Sequence, residues 1–206
     1  MTSAHNALLR FAESEEETAQ LAQLIQRCGV AALGVHGRFI TQKPREPAHW
    51  SRIAAVVRAV PTLPVIANGD VFSYADFARV CDATGAAAAM CARGAQWNAS
   101  VFRADGILPT HEVRTRYVEA SLAWDNQLSN TKYCLREMLA VTPGALQCAE
   151  AVALNAAKTP AALAAMYGLD ADQGAAYRAA AAARAAQAQR ITAGDEGRKR
   201  QREPAE

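Results

Sequence analysis

The sequence predicts an α/β fold over its first half and an all-α segment after it, and three observations lead to this prediction. Short apolar runs alternate with amphipathic helical patterns between residues 7 and 94. Each run is followed by turn or polar residues, which is typical of buried parallel strands connected by helices. No strand signal follows Pro109. We therefore expect a boundary near residue 108, with the α/β part at residues 1–108 and a helical part at residues 109–170.

Four strands are predicted in the α/β part, and the third is the easiest to recognise. Its apolar run, Val65–Ala67, is followed by the turn residues Asn68, Gly69 and Asp70. Short strand–helix–strand links of this kind require right-handed parallel crossovers. The other three predicted strands are Ala7–Phe11, Ala31–His36 and Gly85–Ala92.

Three helices are predicted between these strands from their caps and their apolar spacing. Ser14 with Glu17 and Ser73 with Asp76 have capping-box spacing, and Gly29 is placed to end the first helix. Apolar residues at i, i+3, i+4 and i+7 predict the buried face of a helix. The predicted faces are Leu21, Leu24, Ile25 and Cys28, then Ile53, Val56, Val57 and Val60, then Phe77, Val80 and Cys81.

After Arg93 the pattern changes to helices and turns. A short helix or turn is predicted at Gln96–Phe102, and a long helical region with a break near Asp125 at His111–Met138. Two short helices are predicted at Ala145–Ala156 and Pro160–Tyr167. Residues 171–190 predict an alanine-rich helix, and the basic residues after them predict a disordered tail. The predicted apolar faces of the long region are Val113, Tyr117, Ala120 and Trp124, then Leu128, Leu135, Met138 and Leu139.

Composition excludes several classes of protein. The formal net charge is only +2, so the overall charge does not indicate a nucleic-acid partner. Five scattered cysteines without Cys-x-x-Cys spacing predict reduced thiols, with neither a metal site nor a disulfide framework. No apolar run approaches the roughly 18 residues of a membrane span, and the N-terminus lacks a signal-peptide pattern. We expect a cytoplasmic or nuclear protein without a membrane partner.

Polar side chains follow three of the predicted strands. The carboxyl ends of parallel strands lie at the same edge of a sheet or barrel, where ligands are commonly bound. Convergence of these side chains at one edge is the main functional signal in the residues themselves. The pairs are His36 and Arg38, Asn68 and Asp70, and Arg93 and Gly94.

These motifs, taken in their order and spacing, resemble the tRNA-dihydrouridine synthases. The resemblance extends over roughly residues 7–168 and is greatest to the eukaryotic branch that reduces a D-loop uridine at position twenty. In the α/β part it rests on Val35-His-Gly-Arg38, Pro64-Val-Ile-Ala-Asn-Gly-Asp70 and Met90-Cys-Ala-Arg-Gly-Ala-Gln-Trp-Asn98. In the helical part it rests on Trp124-Asp-Asn126 and Asn130-Thr-Lys-Tyr-Cys134.

The resemblance implies an FMN-binding (β/α)8 TIM barrel followed by a helical domain that contacts tRNA. In the family, NADPH reduces FMN, the flavin passes a hydride to a uracil ring, and a cysteine protonates the neighbouring carbon. The residues implied to bind tRNA are Asn130 and Lys132, with a packed seam between helices as the alternative. The residues implied to bind FMN are His36, Arg38, Asn68, Gly69, Asp70, Arg93 and Gly94.

The sequence also departs from the family pattern. The catalytic cysteine of the family lies in an Asn-x-Gly-Cys-Pro motif, which this sequence does not contain, so no catalytic residue is assigned. Cys91, on the last predicted strand, is interpreted as a buried structural thiol. Only about 100 residues belong to the barrel part, against about 250 for a complete barrel. We therefore expect the C-terminal half of a synthase barrel, inactive alone, which a companion chain supplying the N-terminal half could complete.

The sequence offers two alternative functions. The missing cysteine motif and the incomplete barrel favour a non-enzymatic remnant that binds RNA or a partner chain. A different FMN barrel, similar to dihydroorotate dehydrogenase, is disfavoured because such barrels lack the helical segment around Asn130–Tyr133.

Overall fold

The structure is a computed structural model that describes residues 6–180, 182–183 and 186. Within these residues the chain divides into two compact units between Leu108 and Pro109. The end of the predicted alanine-rich helix at residues 171–190 and the predicted basic tail after it lie outside the described residues.

The first unit is a four-stranded parallel sheet in the order β1-β2-β3-β4. Each consecutive pair of strands is joined by a helix, as the alternation of apolar runs and helical patterns predicts. The strands are β1 Asn6–Phe11, β2 Ala32–Phe39, β3 Val65–Asn68 and β4 Ala88–Met90. The helices are α1 Glu15–Arg27, α2 Trp50–Ala59, α3 Tyr74–Thr84 and the short α4 Arg93–Trp97, which a 3-10 turn at Ala99–Phe102 follows.

The core of the first unit lies between the sheet and its helices. The strands contribute Phe11, Leu33 and Val35, each almost completely buried, and α2 contributes Ile53 and Val56. Burial of such side chains contributes about 1.5–3 kcal/mol each. The described strands do not close on themselves, so the barrel remains a prediction.

The predicted helix caps are present. The Ser14 hydroxyl accepts a hydrogen bond from the Glu17 amide at 3.0 Å, and the Glu17 carboxylate accepts one from the Ser14 amide at 3.3 Å. Ser73 and Asp76 form the same reciprocal pair at the start of α3. Gly29 follows α1 with φ of +76°, a conformation in which other residues are strained.

Three local predictions for the first unit are wrong. Strand β2 does not end at His36 but continues to Phe39, because the residues that follow His36 keep extended geometry. Strand β4 is shorter than predicted, since only Ala88–Met90 pairs with β3. The predicted buried face of α1 is largely exposed, including Leu21 and Leu24. The residues of α1 that are buried are Thr18 and Ala22, and α1 lies over β1, the edge strand of the sheet.

The second unit consists of helices and the turns between them, with no strand among the described residues. The predicted break in the long helical region is confirmed, and Asp125 adopts φ of +50° there. The core of this unit includes Val118, Leu135, Met138 and Leu154. Its helices are α5 Thr110–Ala123, α6 Leu128–Leu139, α7 Ala149–Ala156 and α8 Pro160–Met166, and residues 174–180 are also helical.

The predicted apolar face of α5 is wrong in half of its positions. Ala120 is exposed and Trp124 is 67% exposed, whereas Arg114 is buried. Arg114 is accommodated because Glu150 accepts two hydrogen bonds from it, at 2.8 and 2.9 Å. A bidentate pair of this kind compensates the burial of a charge, which apolar spacing cannot reveal. No helix among the described residues is long and apolar enough to cross a membrane.

Candidate functional site at the strand ends

The carboxylate of Asp70 binds two arginines at the ends of the strands. Asp70 follows β3 directly, and its Oδ1 accepts hydrogen bonds from Arg38 and, at 2.9 Å, from Arg93. Arg38 comes from β2 and is only 2% exposed, while the side chain of Arg93, at the start of α4, is 29% exposed. Three sequence motifs that lie up to 55 residues apart thus meet in one charge cluster. The cluster contains two guanidinium groups and one carboxylate.

The same three residues fix the loop between β2 and α2. Asp70 Oδ2 accepts a hydrogen bond from the Ala48 amide at 2.7 Å. Arg38 Nε donates to the Glu46 carbonyl at 2.6 Å, and Arg93 Nη1 donates to the Pro44 carbonyl at 2.8 Å. The loop is therefore attached through its backbone to the ends of three different strands.

Aromatic rings further restrict Arg93. Its guanidinium carbon lies 5.3 Å from the centre of the Phe72 ring and 5.6 Å from that of Trp97. These two rings are stacked, with centroids 5.5 Å apart and an interplanar angle of 6°. Cation–π contacts and the ion pair together hold one face of the guanidinium in a fixed orientation.

The turn after β3 completes the pocket. Asn68 is buried and donates a hydrogen bond from Nδ2 to the Met90 carbonyl at 2.9 Å, which joins the ends of β3 and β4. The Gly69 carbonyl accepts a hydrogen bond from the Trp50 indole at 3.0 Å. Gly69 has φ of +134°, and a Cβ at this position would lie 2.8 Å from the Ala48 side chain. Only glycine fits this close approach between the turn and the loop.

His36 lies on the wall of this pocket with an unused nitrogen. Its Nδ1 is buried and has no hydrogen-bond partner among the described residues. Burial lowers the pKa of His36, and the positive charges of Arg10, Arg38 and Arg93 lower it further, whereas Asp70 opposes them. The imidazole is therefore held in its neutral form, in which one ring nitrogen can accept a hydrogen bond.

The structure brings most of the residues predicted for this site together. One pocket is lined by His36, Arg38, Asn68, Gly69, Asp70 and Arg93. Gly94 does not line it but packs behind it, where a Cβ would lie 2.6 Å from the Val71 carbonyl oxygen. His36 lies within β2 as predicted, but Arg38 also lies within this strand rather than in a loop after it, which corrects the predicted end at His36. Burial makes Arg38 an internal partner of Asp70 rather than a group on the rim.

Sequence reasoning missed the partners of these side chains in the β2–α2 loop. Pro44, Glu46 and Ala48 take part through backbone atoms, whose identity a motif does not record. Trp50 and Trp97 were not assigned to the site either, although both contact it. Trp97 lies three residues after Gly94 within a motif that the sequence does show, whereas no motif in the sequence marks Trp50.

Cys91 agrees with its interpretation as a structural thiol. Its Sγ donates to the Val71 carbonyl at 3.2 Å, and burial raises the pKa of the thiol. The protonated thiol is therefore favoured, and a nucleophilic or acid-donating role is not indicated by its surroundings.

The two residues implied to contact RNA lie on α6 in the second unit. Asn130 is exposed and donates to Asn126 Oδ1 at 3.2 Å. Lys132 donates from Nζ to the Asn155 and Ala157 carbonyls at 3.0 and 2.8 Å, at the end of α7. Cations at a helix C-terminus satisfy its free carbonyl groups, so Lys132 has a structural role whatever else it contacts.

The pocket by itself is too small to enclose a flavin nucleotide. Its cavity volume is about 30 Å³, which is small beside the roughly 300–1,000 Å³ of sites that enclose a ligand. A neutral imidazole such as that of His36 can donate one hydrogen bond and accept another, and the exposed side of Arg93 suits a phosphate oxygen. The remaining walls of a flavin site would have to come from outside the described strands.

Comparisons with known proteins agree on one family. The family described as "Dihydrouridine synthase (Dus)" matches residues 6–190. The chain is 34% identical over 133 residues to a tRNA-dihydrouridine(20) synthase (NAD(P)+) of Schizosaccharomyces pombe, a match that covers 64% of this chain and 28% of that protein. It is 41% identical over 90 residues to a tRNA-dihydrouridine(16) synthase of Cupriavidus necator, covering 43% of this chain and 28% of that protein.

A third relative modifies a neighbouring position. The tRNA-dihydrouridine(20a/20b) synthase (NAD(P)+) of Saccharomyces cerevisiae is 32% identical over 96 residues, or 46% of this chain and 26% of that protein. The chain thus spans about a quarter of the length of the curated relatives it matches. The names of these relatives specify different uridines, so similarity to them does not select one position.

Proposed function

This chain belongs to the dihydrouridine synthase family, and from that membership we propose that it forms part of an enzyme that reduces uridine in tRNA to dihydrouridine. The D-loop uridine at position twenty is the proposed target, in agreement with the name of the Schizosaccharomyces pombe relative. NADPH is the proposed reductant, and the cytoplasm or nucleus the proposed location. The whole enzyme would need more than these residues, because the described part contains four strands, whereas the barrel expected for the family has eight.

We propose FMN as the cofactor, bound across the carboxyl ends of the four strands. The observation that carries this proposal is the charge cluster at Asp70, in which two guanidinium groups share one carboxylate. The cluster keeps one net positive charge, and Arg93 is its exposed member. A phosphate group is the ligand that best complements a partly exposed guanidinium with a fixed orientation.

The roles of the other residues follow from their contacts. Asn68 and Trp50 hold the turn after β3 against β4 and α2, so the backbone of Gly69 is presented in one conformation. His36 lines the pocket with an imidazole whose pKa is lowered by burial and by the neighbouring arginines. Bound FMN would supply the hydride chemistry, which no side chain of this pocket can perform. The target base must leave its stack to reach a flavin at this position.

We expect the 206 residues alone not to turn over substrate. The sequence contains no Asn-x-Gly-Cys-Pro motif, and Cys91 is held as a protonated structural thiol. A companion chain that supplies the other half-barrel would provide both the missing strands and the acid. NADPH-dependent formation of dihydrouridine by the purified chain, measured on unmodified tRNA by mass spectrometry, would contradict this expectation.

A second candidate function is a non-enzymatic remnant that binds RNA or a partner chain. The exposure of Leu8 on β1, of Leu21 and Leu24 on α1 and of Met90 on β4 favours it. Large apolar side chains that form one exposed patch commonly mark a surface that contacts another molecule. Binding of a partner chain would remove these leucine and methionine side chains from water.

Flavin absorbance distinguishes the two candidates. We propose to purify the chain with added FMN, remove free flavin by gel filtration and record the spectrum of wild type, Arg93→Ala and Arg103→Ala. Arg103 is the control because it is exposed, pairs only loosely with Asp105 at 3.8 Å and does not line the pocket. Bound flavin in wild type and Arg103→Ala that is lost in Arg93→Ala would support the cofactor site. Colourless protein in all three would favour the remnant.

A further inference from the structure

A groove on the second unit combines an exposed aromatic ring with positive charges. It has a volume of about 390 Å³ and is lined by Lys132, Tyr133 and Arg136 from α6 and by Lys158 from the segment after α7. Tyr133 is 57% exposed, whereas Leu135, two residues further along α6 and on the opposite side of the helix, belongs to the core. None of the described residues lining this groove carries a carboxylate.

The cations around Tyr133 are fixed in two different ways. Lys132 and Arg136 are immobilised at the end of α7, where Lys132 donates to two backbone carbonyls and Arg136 Nη1 donates to Asn155 Oδ1 at 2.5 Å. Their acceptors there are carbonyl and amide oxygens, so no carboxylate offsets either side chain in these contacts. Lys158 is exposed and forms no ion pair within the part of the chain that the structure describes. Within the described residues, three cationic side chains therefore line the same groove as one exposed ring.

From this arrangement we propose that the groove binds an unstacked nucleobase of an RNA strand on the face of Tyr133, with the adjoining phosphates at Lys158 and Arg136. Aromatic faces accept any base by stacking, and neighbouring cations bind the backbone that connects the bases. The proposal deepens the proposed function, since it rests on an RNA substrate and assigns one contact to it. It replaces Asn130, which does not line the groove, by Tyr133 as the residue that recognises RNA through its side chain.

The charges favour RNA over a protein partner at this groove. A protein interface of similar shape would be expected to exclude several like charges from its centre, because charged residues are depleted there. Phosphate groups are instead complementary to uncompensated lysine and arginine side chains. Leu128 and Ala157 supply the apolar floor, against which the edge of a stacked base can pack.

The test measures the affinity of the full chain for two probes by fluorescence anisotropy without flavin. One probe is a labelled single-stranded RNA of twelve nucleotides with mixed sequence, and the other is the same RNA annealed to its complement. The variants are Tyr133→Ala, Tyr133→Phe and Lys158→Gln. The controls are Tyr74→Ala, whose ring is 51% exposed on α3, and Arg116→Gln, whose side chain is 59% exposed on α5.

We expect Tyr133→Ala to weaken single-strand binding by about 5- to 100-fold and Tyr133→Phe to bind within about twofold of wild type, since stacking needs the ring and not the hydroxyl. Lys158→Gln should lower the slope of log Kd against log salt by about 0.7, the amount for one phosphate contact on a single strand. Tyr133→Ala should leave this slope unchanged, and both controls should resemble wild type.

Three results would overturn the proposal. The first is single-strand binding that is absent in wild type or unaffected by Tyr133→Ala. The second is equal loss for the single strand and the duplex, which would indicate charge attraction without stacking. The third is self-association of wild type in sedimentation that Tyr133→Ala abolishes while RNA affinity is unchanged, which would identify a protein interface. Failure of the flavin experiment affects none of these measurements, so the two proposals can fail separately.

Discussion

The amide of Ala48 donates a hydrogen bond to Asp70 Oδ2 at 2.7 Å, and this bond joins two segments that lie 22 residues apart. Asp70 adopts φ of +56°, a left-handed conformation that only aspartate and asparagine tolerate with moderate cost among residues with polar side chains. The turn therefore aims the carboxylate back at the β2–α2 loop. Backbone geometry and charge pairing at Asp70 are parts of the same arrangement.

Replacement of Asp70 by asparagine is expected to destabilise the first unit by about 3 kcal/mol, the lower end for breaking a buried ion pair. Arg38 is 2% exposed and would lose its charged partner, whereas the 25% exposure of Asp70 moderates the effect. Asparagine fits the same turn, so the loss measures charge rather than conformation. The measurement is the urea midpoint followed by tryptophan fluorescence.

The matched control for this change is Asp105→Asn. Asp105 is 89% exposed and lies 3.8 Å from Arg103, so its pair contributes at most about 1 kcal/mol. Equal effects of Asp70→Asn and Asp105→Asn would contradict the conclusion that Asp70 neutralises a buried arginine.

Ser14→Ala is expected to lower the stability of the first unit by about 1 kcal/mol, because it removes the hydroxyl that accepts a hydrogen bond from the Glu17 amide at the start of α1. Ser51→Ala is the control. Ser51 is exposed within α2, and its side chain forms no hydrogen bond with any of the described residues. Alanine has the higher helix propensity, so this control should be neutral or slightly stabilising. Thermal unfolding of both variants measures the difference in their melting temperatures. Equal melting temperatures would mean that α1 is stabilised only by tertiary packing and not by its cap.

His36 should make the stability of the chain depend on pH between neutrality and mild acid. Burial and the neighbouring arginines lower its pKa from the usual 6.5, so the unfolded chain binds a proton in a range where the folded chain does not. The free energy of unfolding must then decrease as pH falls from above 6.5 through the lowered pKa of the folded state. His36→Gln should show a smaller decrease between pH 7 and pH 5.

The control for this pH dependence is His111→Gln, which removes an exposed histidine at the start of α5. A reduced acid sensitivity in His36→Gln that is not seen in His111→Gln would assign the effect to the buried histidine. A slope in His36→Gln as steep as in wild type would show that other groups cause the acid sensitivity.

Local patterns predicted the elements of this fold better than they predicted burial. The strand at Val65–Asn68, both capping boxes and the break at Asp125 were recognisable because each depends on a few neighbouring residues. The exposed face of α1 was not, since apolar spacing shows which residues share a face but not whether anything covers it. The face with Leu21 and Leu24 lies on the helix over the edge strand β1.

The candidate site shows the same limit in another form. Motifs identified Arg38, Asp70 and Arg93 as residues at strand ends, and parallel topology explains why they meet. Which of them pair, and which remain accessible, depends on contacts across 23 and 32 residues of sequence. The spacing of the motifs therefore could not predict that Arg38 is buried and that Arg93 is partly exposed. Their roles toward a cofactor remain predictions.

Gly94→Ala is expected to cost about 1–3 kcal/mol through overpacking. A Cβ at this position would lie 2.6 Å from the Val71 carbonyl oxygen and 2.9 Å from Cys91 Sγ, and neither the backbone nor the hydrogen-bonded thiol can move freely. Because Gly94 adjoins Arg93, displacement of α4 should also disturb the contacts of Arg93 with Asp70 and the two aromatic rings.

Gly29→Ala provides the comparison for this variant. Gly29 has φ of +76° but no atom within 4 Å of the added Cβ, so its cost is about 1 kcal/mol of backbone strain alone. Gly94→Ala should therefore have the lower urea midpoint and, unlike Gly29→Ala, should change the fluorescence of folded protein, because Trp97 is stacked on Phe72 beside it. A Gly94→Ala protein with the midpoint and spectrum of Gly29→Ala would mean that the β3–α3 turn yields to the extra carbon, and that α4 is not fixed by the close approach at Gly94.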